Sequence, residues 1–212
     1  MNTKSVNENF FDKDKESRAM WYVLGLSYSR YSASSTDNRN SWYSSNFKVL
    51  KIIKKELKSK HKISKPNSNG NRILQIRSQS LQDKLTERGL GVPKNQREFP
   101  KNCGTEYLDY FVRGFFDGIV SCSTRLRVSK VKGWKTESKQ LLIYYNEPFL
   151  KKLYNVLILE AGIRKGRKIK NSRLKITDSD DITAIYDFIY GNFNYVKSRG
   201  LYLPNKKDRF EI

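Results

Sequence analysis

Residues 23–31 read Val-Leu-Gly-Leu-Ser-Tyr-Ser-Arg-Tyr, and residues 112–120 read Val-Arg-Gly-Phe-Phe-Asp-Gly-Ile-Val. Both stretches are largely apolar. Both place glycine third and a small residue four places later: Gly25 and Ser29 in the first, Gly114 and Gly118 in the second. Residues at i and i+4 share one face of a helix. Small side chains on that face let two helix backbones approach closely, a rule drawn from membrane helices whose steric basis holds for any helix pair. The two stretches predict a helix–helix interface built on Gly25, Ser29, Gly114 and Gly118.

The repetition extends downstream, and self-similarity of this kind decides a fold before any local reading does. Each stretch is followed by a helix, an Ile/Leu strand and another helix. Arg72-Ile73-Leu74-Gln75-Ile76-Arg77-Ser78 is echoed by Arg173-Leu174-Lys175-Ile176-Thr177-Asp178. In order and spacing, over most of residues 19–205, the chain resembles the LAGLIDADG homing endonucleases. Leu85–Lys94, up to Phe99-Pro100, resembles that family's segment between its two halves, and Asp181–Tyr190 its last helix. The resemblance implies an α+β fold of two pseudo-symmetric αββαββα-like halves, residues 1–100 and 101–212. It implies antiparallel DNA-binding sheets forming a saddle along the major groove, with the signature helices packed at the pseudo-twofold axis. Since one chain carries both helices, it implies a monomer. The activity implied by the family is metal-dependent DNA cleavage.

The departures from the family pattern bear on that activity. The family's eighth motif position carries an acidic metal ligand, followed by glycine. Here those positions are Arg30 and Tyr31 in one copy and Ile119 and Val120 in the other. Mg²⁺ is a hard cation that takes oxygen ligands; a guanidinium repels it and an aliphatic chain offers it none. Metal-assisted phosphodiester cleavage needs the ion to prepare water and to stabilise the leaving oxygen. The expectation is therefore no catalytic residue at the degenerate positions Arg30 and Ile119, no metal and no cofactor. Asp117 stands two places before Ile119, rotated by roughly 200° on a helix, and its counterpart Tyr28 provides no symmetric acid. It reads as a solvated or helix-end carboxylate. Arg30, always charged and fork-shaped, suits direct contact with phosphate; the competing reading pairs it with a nearby acid or with solvent.

Lys and Arg number 42 against 21 Asp and Glu, a formal net charge of +21 in 212 residues. Such charge repels itself in a compact state unless an anion is usually bound, and polyphosphate is the matching anion. Duplex DNA is the first expected partner and RNA the second. No membrane partner is expected, because no apolar run of about 18 residues, signal-peptide core or lipidation motif is present. Cys103 and Cys122 lack metal-ligand spacing and read as reduced thiols of an intracellular protein, in cytoplasm, nucleoid or organelle. His61, the one histidine, stands in a Lys-rich stretch and reads as a surface residue. Asp178-Ser179-Asp180-Asp181 lacks the spacing of a calcium loop and reads as a helix N-cap.

Residues 30–45 read as a polar hairpin turning at Thr36-Asp37-Asn38. Residues 46–60 read as a Lys-covered amphipathic helix, 62–71 as a basic loop or weak strand, 72–77 as a strand, and 79–88 as a helix stopped by Gly89. The second half repeats this plan. A helix capped by Thr105 runs through the second motif; strand Ser123–Lys130 turns at Gly133-Trp134 into strand Glu137–Tyr145. Pro148 opens a helix to Glu160, followed by a strand at 172–177 and a final helix. A two-stranded ribbon fits the major groove, and Arg125 and Arg127 share one ribbon face by alternation. The expected nucleic-acid-binding residues are Arg30, Arg39, Trp42, Arg125, Arg127, Lys130, Lys132, Lys135 and Lys139, cations interleaved with an aromatic ring suited to stacking. Phe115, Phe116, Tyr186, Phe188 and Tyr190 read as core. Phe10-Phe11 reads as the point where a loose N-terminal arm docks.

The leading functional expectation is a sequence-specific duplex-DNA-binding protein that no longer cleaves and acts in transcriptional control or by occupying its site. The alternative is an RNA-binding splicing cofactor resembling the family's intron maturases. A third reading retains nuclease activity through relocated acids such as Asp12 or Asp14, and a fourth is a folded remnant with non-specific affinity.

Overall fold

The computed structural model describes residues 5–34, 36–128 and 135–210, with side chains throughout except at 125–128 and 135–137. The elements in chain order are α1 (Arg18–Arg30), β1 (Tyr31–Ser34), β2 (Arg39–Ser44), α2 (Phe47–Glu56), β3 (Arg72–Arg77) and α3 (Gln79–Leu85). The same order returns as α4 (Thr105–Ile119), β4 (Ser121–Val128), β5 (Lys135–Tyr144), α5 (Glu147–Glu160), β6 (Arg173–Ile176) and α6 (Ser179–Tyr190). Two short helices follow, α7 (Phe193–Arg199) and α8 (Pro204–Phe210). The hairpin and following strand of each repeat form one antiparallel sheet, ordered β1-β2-β3 and β4-β5-β6.

Local chemistry accounts for the boundaries. The Ser17 hydroxyl accepts from the Met20 amide at 3.2 Å and starts α1. Asn46 and Asn146 cap α2 and α5 at matching places, as their short side chains allow. Asp178 caps α6, accepting from the amides of Asp180 and Asp181. Thr105 is the first residue of α4 rather than its cap; Gly104 holds the cap position. The β1–β2 turn is reached through Asn38, whose φ of 52° suits asparagine better than most residues.

The second hairpin of each αββαββα-like half is reduced to one strand and an isolated bridge, Ile63↔Leu74 in the first half and Lys170↔Arg173 in the second. Pro66 has no amide to give a ladder, and the Asn67 carboxamide accepts from the amides of Asn69 and Asn71, folding that stretch into a turn. In the second half Asn171 and Ser172 both hold positive φ, which breaks extended pairing.

Helices α1 and α4 form the centre. A Cβ added at Gly25 would lie 2.2 Å from the Phe111 carbonyl oxygen, and one at Gly114 would lie 2.0 Å from that of Tyr22. One at Gly118 would meet the Ser29 hydroxyl at 2.1 Å. Contacts advance together along both helices, so they run parallel and end at one pole, at Arg30 and Ile119. The flanking segments are tied on by buried arginines. Arg88 donates to the carbonyls of Phe11 and Asp12 and pairs with Glu16 at 2.6 Å, fixing the N-terminal arm. Arg97 donates to the carbonyls of Tyr28 and Tyr31 at 2.8 and 2.9 Å, holding the segment between the halves against the end of α1. Arg113 donates to the carbonyls of Leu201 and Ile189 and so holds the C-terminal segment. Val196, Leu201, Leu203 and Phe210 bury that segment's apolar side chains. Among the described residues, no helix is long and apolar enough to cross a membrane.

Candidate nucleic-acid interface

Alternation divides each sheet into two faces. In the first sheet Tyr31 pairs with Trp42, Trp42 with Leu74, and Asn40 with Ile76, all on the core side. The opposite set is Ser32, Ser34, Arg39, Ser41, Tyr43, Gln75 and Arg77, linked by the pairs Ser32↔Ser41, Ser41↔Gln75 and Arg39↔Arg77. This face carries donors and acceptors in rows, the chemistry needed to read base edges. Arg39 is pre-positioned on it. Its guanidinium pairs with Asp37 at 2.5 Å, and the Gln75 carboxamide stands beside it; with that amide's oxygen and nitrogen exchanged, the oxygen would accept from its Nε and Nη1 at 3.0 and 3.2 Å.

Trp42 does not belong to this face, which corrects its reading as a nucleic-acid contact. Period-two alternation puts it on the core side, where it is wholly buried. Its indole donates to the Ser27 hydroxyl at 2.8 Å and its ring lies against Tyr31, with centroids 5.2 Å apart. The exposed aromatic is its neighbour Tyr43, at 42% exposure, matched in the second sheet by Tyr144 at 49%. Tyr43 pairs with Ile73 and Tyr144 with Arg173, each one place before the core leucine of its strand, Leu74 or Leu174. Sequence reasoning missed both. The available signal was the parity of each tyrosine relative to its hairpin.

In the second sheet Arg125 pairs with Ser138 and Arg127 with Thr136 through the backbone, at positions of the same parity as Ser121 and Ser123. Lys135 lies in β5 opposite Val128. Lys130, Lys132 and the turn at Gly133-Trp134 lie outside the described residues. Lys139 shares the parity of Leu141 and Ile143, and that alternation places it on the core-side face. There it borders a depression with Cys122, Thr124, Asp208 and Arg209, on the face opposite the one that Arg125 and Arg127 share by parity, which sets it apart from them among the expected nucleic-acid-binding residues.

At the pole of the central helices, Arg30 is half-buried. Its Nε is buried and has no hydrogen-bond partner among the described residues, and burial pushes its guanidinium pKa below the usual arginine range. No ion pair to Arg30 occurs among the described residues, so the acid-paired alternative gains no partner there. Ile119 packs against the core. Two lysines stand in the electrostatic reach of Arg30. Lys94, from the segment between the halves, lies over the Tyr145 ring at 5.4 Å. Local burial lowers its pKa, and the charges of Arg30 and Arg97 lower it further. Lys206, from α8, donates to the Val120 carbonyl at 2.6 Å. Burial is the main cause lowering its pKa; Arg209 and Arg30 add to this and Asp117 opposes it.

These residues do not fit the divalent metal of the resembled family. The two motif-end positions offer a cation and an aliphatic chain, and two more cations face the first. Among the described residues no group of three His, Cys, Asp or Glu is arranged to hold a metal ion.

Of the two readings for Asp117, the helix-end position holds, since it lies in the last turn of α4, but it is not solvated. It is buried, and accepts from the Tyr22 hydroxyl at 2.7 Å, the Leu203 amide at 3.0 Å and the Tyr190 hydroxyl at 3.5 Å. Burial outweighs these bonds and raises its pKa to about 7. The helical rotation that turns it away from the pole directs it into the C-terminal segment. His61 is half-buried rather than on the open surface, with Nδ1 3.0 Å from the Ser59 hydroxyl. Asp12 is engaged by Lys84 at 3.5 Å.

The arrangement is similar to solved structures of one family. I-SmaMI, a LAGLIDADG homing endonuclease bound to cleaved DNA, superposes with a TM-score of 0.59 at 14% identity, covering 92% of this chain and 87% of that one. I-CpaMI, a LAGLIDADG meganuclease bound to uncleaved DNA, gives 0.58 at 13%, covering 92% and 96%. I-LtrWI, a LAGLIDADG homing endonuclease bound to target DNA, gives 0.54 at 12%, covering 97% and 94%. No protein-family model and no curated protein sequence matches the chain. The α+β fold, with two repeats each carrying a three-stranded antiparallel sheet, is the two-half LAGLIDADG fold.

Proposed function

We propose that this chain is a sequence-specific duplex-DNA-binding protein with the LAGLIDADG fold that holds its site without cutting it. The observation that carries the reading is the exchange at the helix pole. Where the resembled family has metal-binding acids, this chain has Arg30, unpaired among the described residues, and Ile119. The charge that would bind DNA is kept and the ligands for a metal are gone. The polar outward face of the first sheet, with Arg39 fixed by Asp37 beside Gln75, supplies the base-reading surface. Arg125 and Arg127 are its counterparts in the second ribbon. The similar I-SmaMI, I-CpaMI and I-LtrWI structures contain DNA, which supports duplex DNA over RNA as the partner. The two halves, residues 1–100 and 101–212, each take one part of the site, and the protein works as a monomer because both signature helices reside in one chain. Occupancy of the site without cleavage suits transcriptional control.

The test is selection from a pool of randomised duplexes. One enriched sequence, with affinity falling roughly 10³–10⁵-fold between 50 and 200 mM salt as for six to ten phosphate contacts, is the expected result. A structured RNA that displaces the selected duplex at matched salt would favour the maturase-like role. Failure to enrich any sequence would leave only non-specific affinity and overturn the proposal.

A further inference from the structure

We infer that Arg30, Lys94 and Lys206 together form a metal-free seat for one backbone phosphate at the centre of the bound duplex, an assignment that rests on the DNA-binding reading above. Three elements distant in sequence bring these cations together: the end of α1, the segment between the halves, and α8. Arg30 and Lys206 are half-buried while Lys94 keeps an exposed surface, and gathering like charges at such a place is unfavourable unless an anion completes it. Elsewhere buried or half-buried cations of this chain are met by an acid or, as at Arg97, by backbone carbonyls. Arg88 pairs with Glu16, Arg167 with Asp181, Arg113 with Asp109 and Lys84 with Asp12. None of the three pole cations makes an ion pair among the described residues. Asp117 acts electrostatically on Lys206 alone of the three, and its carboxylate is buried and committed to Tyr22 and Leu203.

The ligand chemistry follows from the donors. A guanidinium presents a planar fork that can take two oxygens of one phosphate, and each ammonium adds a compact charge with rotatable donors. The Lys206 ammonium is held by the Val120 carbonyl, one residue beyond Ile119, so it stands beside the end of α4 while Arg30 ends α1. Arg97 does not join the seat, because its donors are spent on the carbonyls of Val92, Tyr28 and Tyr31. Its role is positioning: it fixes the segment that carries Lys94. The seat therefore replaces a bridging metal with fixed cations, and it binds phosphate without supplying any group to activate water.

The test uses the full-length protein in EDTA with the duplex recovered by the selection described above, carrying a neutral methylphosphonate at each central linkage in turn. One central substitution should weaken wild-type binding about tenfold. The same substitution should cost Arg30→Gln distinctly less, since two of the three cations remain, and should cost the triple variant Arg30→Gln/Lys94→Gln/Lys206→Gln nothing further. Because the three cations share one phosphate, Arg30→Gln, Lys94→Gln and Lys206→Gln combined should lower the slope of log affinity against log salt by about one in total, each alone by a fraction of that, and Arg30→Lys should keep most of the wild-type slope. Circular dichroism confirms that each variant is folded, and the methylphosphonate scan on wild-type protein does not depend on any variant. If wild-type protein binds the duplex but no central linkage matters, or if the variants weaken binding equally at every linkage, the seat is wrong and the DNA-binding reading stands. If wild-type protein shows no affinity for duplex DNA, both are wrong.

Discussion

The Asp117 carboxylate accepts a 2.7 Å hydrogen bond from the Tyr22 hydroxyl, so the two signature helices are joined by a buried polar bond as well as by glycine contacts. The folded-state pKa of Asp117 is raised to about 7 from an ordinary 3.8, with burial as the leading cause. The folded state thus holds the proton more tightly than the unfolded chain. The stability this gives is fully present below the unfolded pKa near 4 and is lost as pH rises through about 7. At roughly 1.4 kcal/mol per pH unit the ceiling is about 4 kcal/mol. Urea unfolding from pH 4 to 8 should show wild-type stability falling relative to Asp117→Asn, which cannot ionise. Parallel curves for the two proteins would contradict the assignment.

Glycine substitutions should grade by what each new Cβ meets. Gly25→Ala and Gly114→Ala place it against backbone carbonyls that cannot turn aside, and should cost about 1–3 kcal/mol or more. Gly118→Ala meets the end of the Ser29 side chain, which can rotate, and should cost distinctly less. Thermal unfolding of the three variants checks the order. Equal losses would mean that the helices separate freely at the interface.

Trp42 and Tyr43 are adjacent and should behave oppositely. Trp42→Ala empties a buried site and should cost about 3–5 kcal/mol of stability. Tyr43→Ala and Tyr144→Ala remove exposed rings and should leave stability within about 0.5 kcal/mol, while lowering affinity for the selected duplex several-fold. Denaturant unfolding paired with fluorescence-anisotropy titration separates the two effects. Unchanged affinity in both tyrosine variants would remove them from the interface.

The repeated glycine patterns carried the fold, because close backbone packing leaves few residue choices and those choices are visible at fixed spacing. The first hairpin and the Ile/Leu strand of each half were legible from turn residues and alternation; the missing partner strand was not, because Pro66 and the positive-φ residues Asn171 and Ser172 break it locally. The site was less legible. Trp42 resembled a stacking residue because aromatic composition does not reveal strand parity, and Lys139 shared that ambiguity. Arg88, Arg97 and Arg113 add to the net charge but are buried struts, since nothing local distinguishes an arginine that binds carbonyls from one that binds phosphate. Lys94 and Lys206 became visible only when the fold brought them to Arg30. The helices α7 and α8 went unread because each is only seven residues long, too short for a run of apolar positions to declare a helical period.

The central claim is that the helix pole binds DNA without cutting it, and cleavage of the selected duplex tests it most directly. Wild-type protein incubated with that duplex and Mg²⁺ or Mn²⁺, beside an EDTA control, should leave it bound and intact. Arg30→Asp and Ile119→Asp should also leave it intact, because each provides one carboxylate where a paired site needs both. Combining them should give weak cutting at most, rising once Tyr31→Gly and Val120→Gly relieve the crowding at the pole. Reproducible metal-dependent double-strand cuts by the wild-type protein would contradict the account.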